Sequence, residues 1–280
     1  LHDALPISET ASFWEAGLVP ADSFIQVDLD PESPGAAFQT ARTHVVQSEV
    51  GAFLDALTER MAEPAVKPTI ARRIAAPRML PAPCEHVRPQ YLLDVMQSVV
   101  VEGSDAPVLA ESGNSFAWAI NALAFDQPGR FRVSSSFGAM GHCTSGVVGA
   151  AIARGGKAVA LVGDGSMLMN NEVSTAVQYG APAVWIVLND GQYGMVAQGM
   201  RALGFTPAEA EFPAVDFTMM AHGVGADGER VQRESELEAA LRRAMAAEGP
   251  YVVDVCVDPQ APGPWMKRIQ NLILQGARKP

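Results

Sequence analysis

The chain has 280 residues, 48% of them hydrophobic, with 20 Lys and Arg against 31 Asp and Glu and a formal net charge of -11. No apolar run approaches the roughly 18 residues a membrane span needs, and an acidic chain without a basic cluster is not built to hold nucleic acid. The length suits one full α/β domain with part of a second, while Cys84, Cys143 and Cys256, without CxxC or metal-ligand spacing, fit a reducing cytoplasm better than a disulfide framework.

In chain order, the first seven residues, LHDALPI, read as a non-native leader and are set aside. Phe24 to Leu29 reads as a strand, followed by a turn through Pro31, Pro34 and Gly35. A helix is expected from Thr43 to Met61, with Val46, Val50, Phe53, Leu54 and Leu57 on one face. One strand and one helix cannot bury a core, so residues 1–62 read as a remnant of a larger domain. Residues 63–88 carry Pro64, Pro68, Pro77, Pro81 and Pro83 with little periodicity, which favours an extended connector. Its basic residues Lys67, Arg72, Arg73, Arg78 and Arg88 are either solvated or an anion site.

A full domain is expected from Pro89 onward. Pro89 suits the first turn of a helix running to about Val101. Strands are expected at 106–111 and 130–134, with helices at 116–125 and 144–154. The stretch Lys157 to Met195 organises the rest. It reads as an apolar strand to Val162, a Gly163-Asp164-Gly165 turn, a helix from Asn170 to Tyr179, and an apolar strand from Ala183 to Leu188 ending in Asn189-Asp190-Gly191. Strand, helix and strand of this length make a βαβ unit, whose parallel strands put both following turns at one carboxyl edge. Asp164 and Asp190 are therefore expected to be spatial neighbours, at the edge where open α/β sheets bind ligands. Two small acidic turns there suit Mg2+, which takes one or two carboxylates plus phosphate oxygens. The N–H groups of Gly165 and Ser166, near a helix start, are placed to meet those phosphates.

Beyond Met195, residues 198–213 carry few strong signals. A short helix is expected at 215–222, a strand at 225–231, a helix at 235–247 and a strand at 251–257 whose one polar residue is Asp254. About six strands alternating with helices make a doubly wound, mainly parallel sheet with helices on both faces. The tail from Pro264 either folds over the site or frays.

The run GDGSMLMNNEVSTAVQYGAP followed by VWIVLNDGQYGM resembles the cofactor motif of thiamine-diphosphate enzymes of the acetolactate synthase and pyruvate decarboxylase superfamily. A lone GDG marks many ordinary turns; GDG with the helix, the LND turn and the following GM is specific. Two departures stand out. Asp190 replaces a usual asparagine, and the segment from Asp164 to Glu172 is one residue shorter than in the commonest members.

The resemblance implies thiamine diphosphate and Mg2+ as cofactors, with Asp164, Asp190 and Gln192 on the metal. It places Asn114, Ser115, Ser136, Gly165 and Ser166 among the cofactor contacts, together with Gly194 and Met195. For Ser115, ordinary helix capping is an equal alternative. In the family the carbonyl matching Gly138 accepts the cofactor's 4'-amino group, and the side chain matching Met140 wedges between its two rings. The implied activity is decarboxylation of a 2-keto acid, ligation to a second carbonyl, or both. The alternative is a non-catalytic or regulatory module that retains the cofactor fold. The family's activating glutamate sits on a separate N-terminal pyrimidine-binding domain that nothing here matches. The fragment alone is therefore expected to be inactive and the whole protein a homodimer or homotetramer. Glu111 and Glu172 lie on the diphosphate side and are not candidates for that acid. Gln198, Met200, Arg201 and Phe205 are substrate-side candidates; His142 is a candidate for proton transfer or a structural residue, and His222 is read as structural. The division expected is a remnant of a central α/β domain at 1–62, a connector at 63–88, and the cofactor domain with a C-terminal tail at 89–280.

Overall fold

Thr43, Val45 and Val46 lie in a strand and not in the helix expected from Thr43 onward. The computed structural model describes residues 22–31, 42–61, 78–134, 137–169, 172–206 and 208–266. The chain divides into two units, the described part of the first being 22–31 and 42–61. There β1 (Ser23–Asp28) and β2 (Arg42–Gln47) pair in parallel, Ser23 opposite Arg42 and Asp28 opposite Gln47. The helix α1 (Val50–Arg60) starts only after Glu49, whose carboxylate accepts the Ala52 N–H at 2.9 Å. β-branched residues are stiff at χ1 and pack well on a pleated surface, so with β1 alongside to supply ladder partners, 42–47 extends. The cap then fixes where the helix begins. No residue of α1 is buried.

The second unit is built on a six-stranded sheet. Its strands are β3 (Val108–Ala110), β4 (Phe131–Val133), β5 (Ala158–Gly163), β6 (Ala183–Asn189), β7 (Asp227–Val231) and β8 (Tyr251–Cys256). They lie in the order β4-β3-β5-β6-β8-β7, every neighbouring pair parallel. Every residue of β6 is buried, and every residue of β5 up to Val162, the continuous burial of strands covered on both faces. Alternate residues enter two separate cores. Val159, Leu161, Val184 and Ile186 belong to one; Ala160, Val162, Trp185 and Val187 belong to the other.

The covering helices follow from right-handed crossovers. The steps β3 to β4 and β7 to β8 run one way along the sheet; the other three run the opposite way. Helices of the two sets must therefore lie on opposite faces. On one side lie α2 (Pro89–Met96, continued by a π turn through Val101), α3 (Asn114–Ala122) and α9 (Glu234–Ala246). On the other lie α4 (His142–Arg154), α6 (Val173–Tyr179) and α8 (Phe217–Gly223). The connections after β3 and β5 thus leave in opposite directions, which opens a crevice at the carboxyl ends of these neighbours.

The other elements expected from the sequence are present, most with shifted ends. Asp164 opens a short helix, α5 (Asp164–Met167), where a turn was expected. The helix expected from Asn170 starts at Val173. Helix α7 (Gly194–Ala202) runs from the Gly194-Met195 end of the motif into the stretch 198–213, for which no helix was expected. Of the connector's basic residues, Arg78 pairs with Glu238 and Arg88 with Glu234; Lys67, Arg72 and Arg73 lie outside the described residues, as does the tail beyond Met266. Among the described residues no helix is long and apolar enough to cross a membrane.

Candidate functional site

Gly163 at the end of β5 pairs with Leu188 of β6, and β6 ends one residue later at Asn189, so Asp164 and Asp190 follow their strands into adjacent turns. Asp164 sits at the first position of α5 and is 2% exposed. Its Oδ1 accepts the Gly165 N–H at 2.7 Å, and its Oδ2 accepts the N–H groups of Asp190 at 3.1 Å and Gly191 at 2.7 Å. The carboxylate after β5 therefore shapes the turn after β6. Burial and then the nearby Asp190 charge push the Asp164 carboxyl up to about 7, against the pull of those N–H groups. Burial likewise pushes Asp190 up to about 6, opposed first by the Gln192 side-chain amide. Both groups pay for desolvation that a cation between them would relieve.

The turn after β6 is fixed from below. Asn189 Nδ2 donates to Asp254 Oδ1 at 2.8 Å and to the Val215 carbonyl at 2.9 Å. Asp254, the polar residue in an apolar strand, is fully buried, and its Oδ2 accepts from Arg230 at 3.1 Å and the Phe217 N–H at 3.2 Å. Two glycines bring the turns together. A Cβ on Gly194 would stand 2.5 Å from Asp190 Oδ2 and 2.9 Å from Asn114 Nδ2, and one on Gly165 would stand 2.7 Å from the Tyr193 ring. A side chain at either place would force these neighbours to move.

These turns border a cavity of about 420 Å³. Asn114 and Ser115 come from the start of α3, Met140 from the turn before α4, Asp164, Gly165 and Ser166 from α5, and Asp190, Gln192, Gly194 and Met195 from the β6 turn and the start of α7. Trp118, Leu188 and Val257 make its apolar wall. Among the described residues no three His, Cys, Asp or Glu side chains form a metal cluster. Two carboxylates with glycine-lined access match a hard cation that completes its shell with ligand oxygens, as Mg2+ does with phosphates.

Residues 111–255 match the family described as thiamine pyrophosphate enzyme, C-terminal TPP binding domain. The chain belongs to this family. A putative acetolactate synthase large subunit of Mycobacterium tuberculosis is 32% identical over 246 residues, 84% of this chain and 43% of the relative. Benzoylformate decarboxylase of Pseudomonas aeruginosa is 27% identical, over 89% of this chain and 47% of its own length. The chain thus spans less than half of either relative. Among solved structures, the thiamine diphosphate-dependent 4-hydroxybenzoylformate decarboxylase of Rhodococcus jostii superposes with a TM-score of 0.68 at 24% identity, over 85% of this chain and 44% of that one, and shows the shared fold. A putative thiamin diphosphate-dependent enzyme of Mycobacterium smegmatis gives 0.64 at 26% identity, over the same shares.

Within this TPP-binding domain the structure brings most of the sequence candidates to the cavity. Gly138, at φ 70°, does not line it but lies beside Ser112, which does; Ser136 lies outside the described residues. Ser115 is not the cap of α3, a place held by Gly113; its buried hydroxyl donates to the Glu111 carbonyl at 2.8 Å. Gln192 turns its amide nitrogen to Asp190 Oδ2 at 3.2 Å and to the Pro259 carbonyl at 3.1 Å, while its oxygen accepts from Arg201 at 3.2 Å. Of the substrate-side candidates only Gln198 lines the cavity; Met200, Arg201 and Phe205 do not. His142 and His222 are exposed and outside it. Glu111 caps α4: its Oε2 accepts the N–H groups of Cys143 at 2.9 Å and Thr144 at 3.0 Å.

Trp118, Tyr193 and residues 257–263 are not among the sequence candidates; Trp265 belongs to the tail from Pro264, for which folding over the site is one of two expectations, and it bonds to Asn114. Trp118 was within reach, because it follows Asn114 by four residues on one helix face. Nothing in the local sequence points to Trp265, which reaches the site from the far end of the domain.

Proposed function

We propose that this chain is the diphosphate- and Mg2+-binding part of an acetolactate synthase-like enzyme that decarboxylates a 2-keto acid, ligates the product to a second carbonyl, or both. The observation that carries this reading is the pair Asp164 and Asp190, both raised in pKa by burial and joined by the Asp190 N–H, which donates to the Asp164 carboxylate, at the switch point of the sheet.

In this reading Asp164 and Asp190 hold the metal. The side-chain oxygen of Gln192 is engaged by Arg201, so Gln192 contributes to the metal through its main chain. Asn114, Ser115, Gly165 and Ser166 bind the diphosphate through donors at the starts of α3 and α5. Met140, Gly194 and Met195 border the space for the rest of the cofactor, with Gly138 beside Ser112. Met140 is 40% exposed at the cavity wall, where a flexible thioether fills an irregular gap. Bound thiamine diphosphate supplies the carbanion chemistry that adds to a carbonyl and stores electrons after CO2 leaves. The residues of this chain anchor, orient and exclude water. Both Glu111 oxygens accept main-chain N–H groups, so that side chain is a cap and not a free acid. The activating acid comes from a pyrimidine-binding domain of a second subunit, which makes the working enzyme a homodimer or homotetramer.

Calorimetric titration of the 280-residue chain with thiamine diphosphate in Mg2+ tests the binding. Loss of heat on adding chelator is expected, and a titration indifferent to Mg2+ overturns the reading. Product analysis of the full-length protein with 2-keto acids separates an enzyme from a binding module.

A further inference from the structure

The side chain of Asn114 is held by a residue 151 positions away in sequence. Trp265 Nε1–H donates to Asn114 Oδ1 at 2.8 Å. An indole nitrogen is a donor only, so the atom facing it must be the amide oxygen. That single bond decides the polarity of the amide: its nitrogen is turned the other way. Asn114 Nδ2 and Asp190 Oδ2 converge over Gly194, where a Cβ would stand 2.9 Å from the first and 2.5 Å from the second. A second amide repeats the pattern. Gln198 Nε2 donates to the Ala261 carbonyl at 2.9 Å, so its Oε1 faces back, accepting the Gly263 N–H at 3.2 Å and meeting Asn114 Nδ2 at 3.5 Å. An amide nitrogen carries two donors. The long contact to Gln198 engages one and leaves the other for a ligand.

We infer that Trp265 is a positioning residue for anion binding, fixing Asn114 so that it offers a donor to the diphosphate. The inference rests on the proposed reading of the cavity as a diphosphate site. With the amide turned over, an oxygen lone pair would face the anion beside two carboxylates, and the contact would become repulsive. Trp265 itself is 9% exposed and lines no part of the cavity, so it acts through Asn114 without touching the ligand.

Trp265→Phe removes the N–H and keeps an aromatic ring. Calorimetry of the 280-residue chain with magnesium pyrophosphate as probe should show binding about five- to tenfold weaker in this variant, the range expected for one hydrogen bond. Asn114→Ala should weaken binding at least as much, and adding Trp265→Phe to it should cost nothing further. Equal loss from Trp265→Phe in both backgrounds would mean that Trp265 acts through the general fold, and would overturn the inference. So would unchanged binding in Trp265→Phe while Asn114→Ala weakens it, an outcome that leaves the diphosphate reading standing. If Asp164→Ala and Asn114→Ala both bind as tightly as the parent chain, the diphosphate reading itself fails. A measurement without substitution covers the case in which Trp265→Phe does not fold: the indole N–H resonance of Trp265 should shift on adding magnesium pyrophosphate, and a resonance that stays still overturns the inference.

Discussion

Asp164 Oδ2 accepts the Gly191 N–H at 2.7 Å, so one carboxylate both faces the cavity and sets the course of the next turn. Asp164→Ala removes a charge and three acceptor contacts at once. It should abolish Mg2+-dependent binding of thiamine diphosphate and also lower the unfolding temperature, since buried N–H groups left unpaired cost about 1–3 kcal/mol each. Calorimetry with and without Mg2+, paired with a melting curve, checks both effects.

Asp190→Asn should behave oppositely in stability. Its oxygen still accepts the Gln192 amide, while the repulsion toward Asp164 disappears. A carboxyl raised to about 6 from 3.8 is a burden only where it is ionised. With chelator present the parent's stability should fall as pH rises through that window, and the cost should be absent below it. Above pH 7 the asparagine variant should therefore melt higher than the parent, by about 1–3 kcal/mol of stability. The difference should close toward pH 4. Affinity for cofactor with Mg2+ should drop far less than in Asp164→Ala.

Glu234 predicts an acid limb. Its side chain is fully buried; burial pushes its carboxyl up, but Arg88 and the N–H groups of Ala82 and Arg88 outweigh this and hold it near 2, below the ordinary 4.5. The stability this contributes is complete above the unfolded value and is lost as pH falls through the folded one. It amounts to on the order of 3 kcal/mol. Glu234→Gln should lose most of it at pH 7 and flatten the stability profile between about 4.5 and 2, as denaturant melts across that range would show.

Met140→Ala in the full-length protein should lower kcat by about tenfold to a hundredfold, the scale of a small misplacement of reacting groups. Affinity for cofactor should change little, because the diphosphate anchors remain. If affinity collapses while kcat at saturating cofactor stays normal, Met140 is a packing residue.

The part of the fold most legible in the sequence was the stretch from β5 to α7. Its two strands are buried on both faces and so read as unbroken apolar runs, and parallel geometry then requires that Asp164 and Asp190 meet. Legibility failed where tertiary partners decide. Residues 43–47 can join a helix by periodicity alone, but β1 offers them a ladder. Helix α7 contains Gly194 and Gly199, which lower helix propensity; Gly194 is required by close approach to Asp190 and Asn114. Tyr193, packed on Gly165, and Trp265, bonded to Asn114, are known only from contacts across the chain.

The bond between Trp265 and Asn114 also gives the site a history. At about 5–20 residues per second of synthesis, Trp265 is made roughly eight to thirty seconds after Asn114. A nascent chain that has already produced both carboxylates still lacks the residue that orients Asn114. Asp254 of β8, which holds Asn189 below the second acidic turn, is also still to be made, so the residues that set the geometry around both carboxylates are among the last of the domain to emerge.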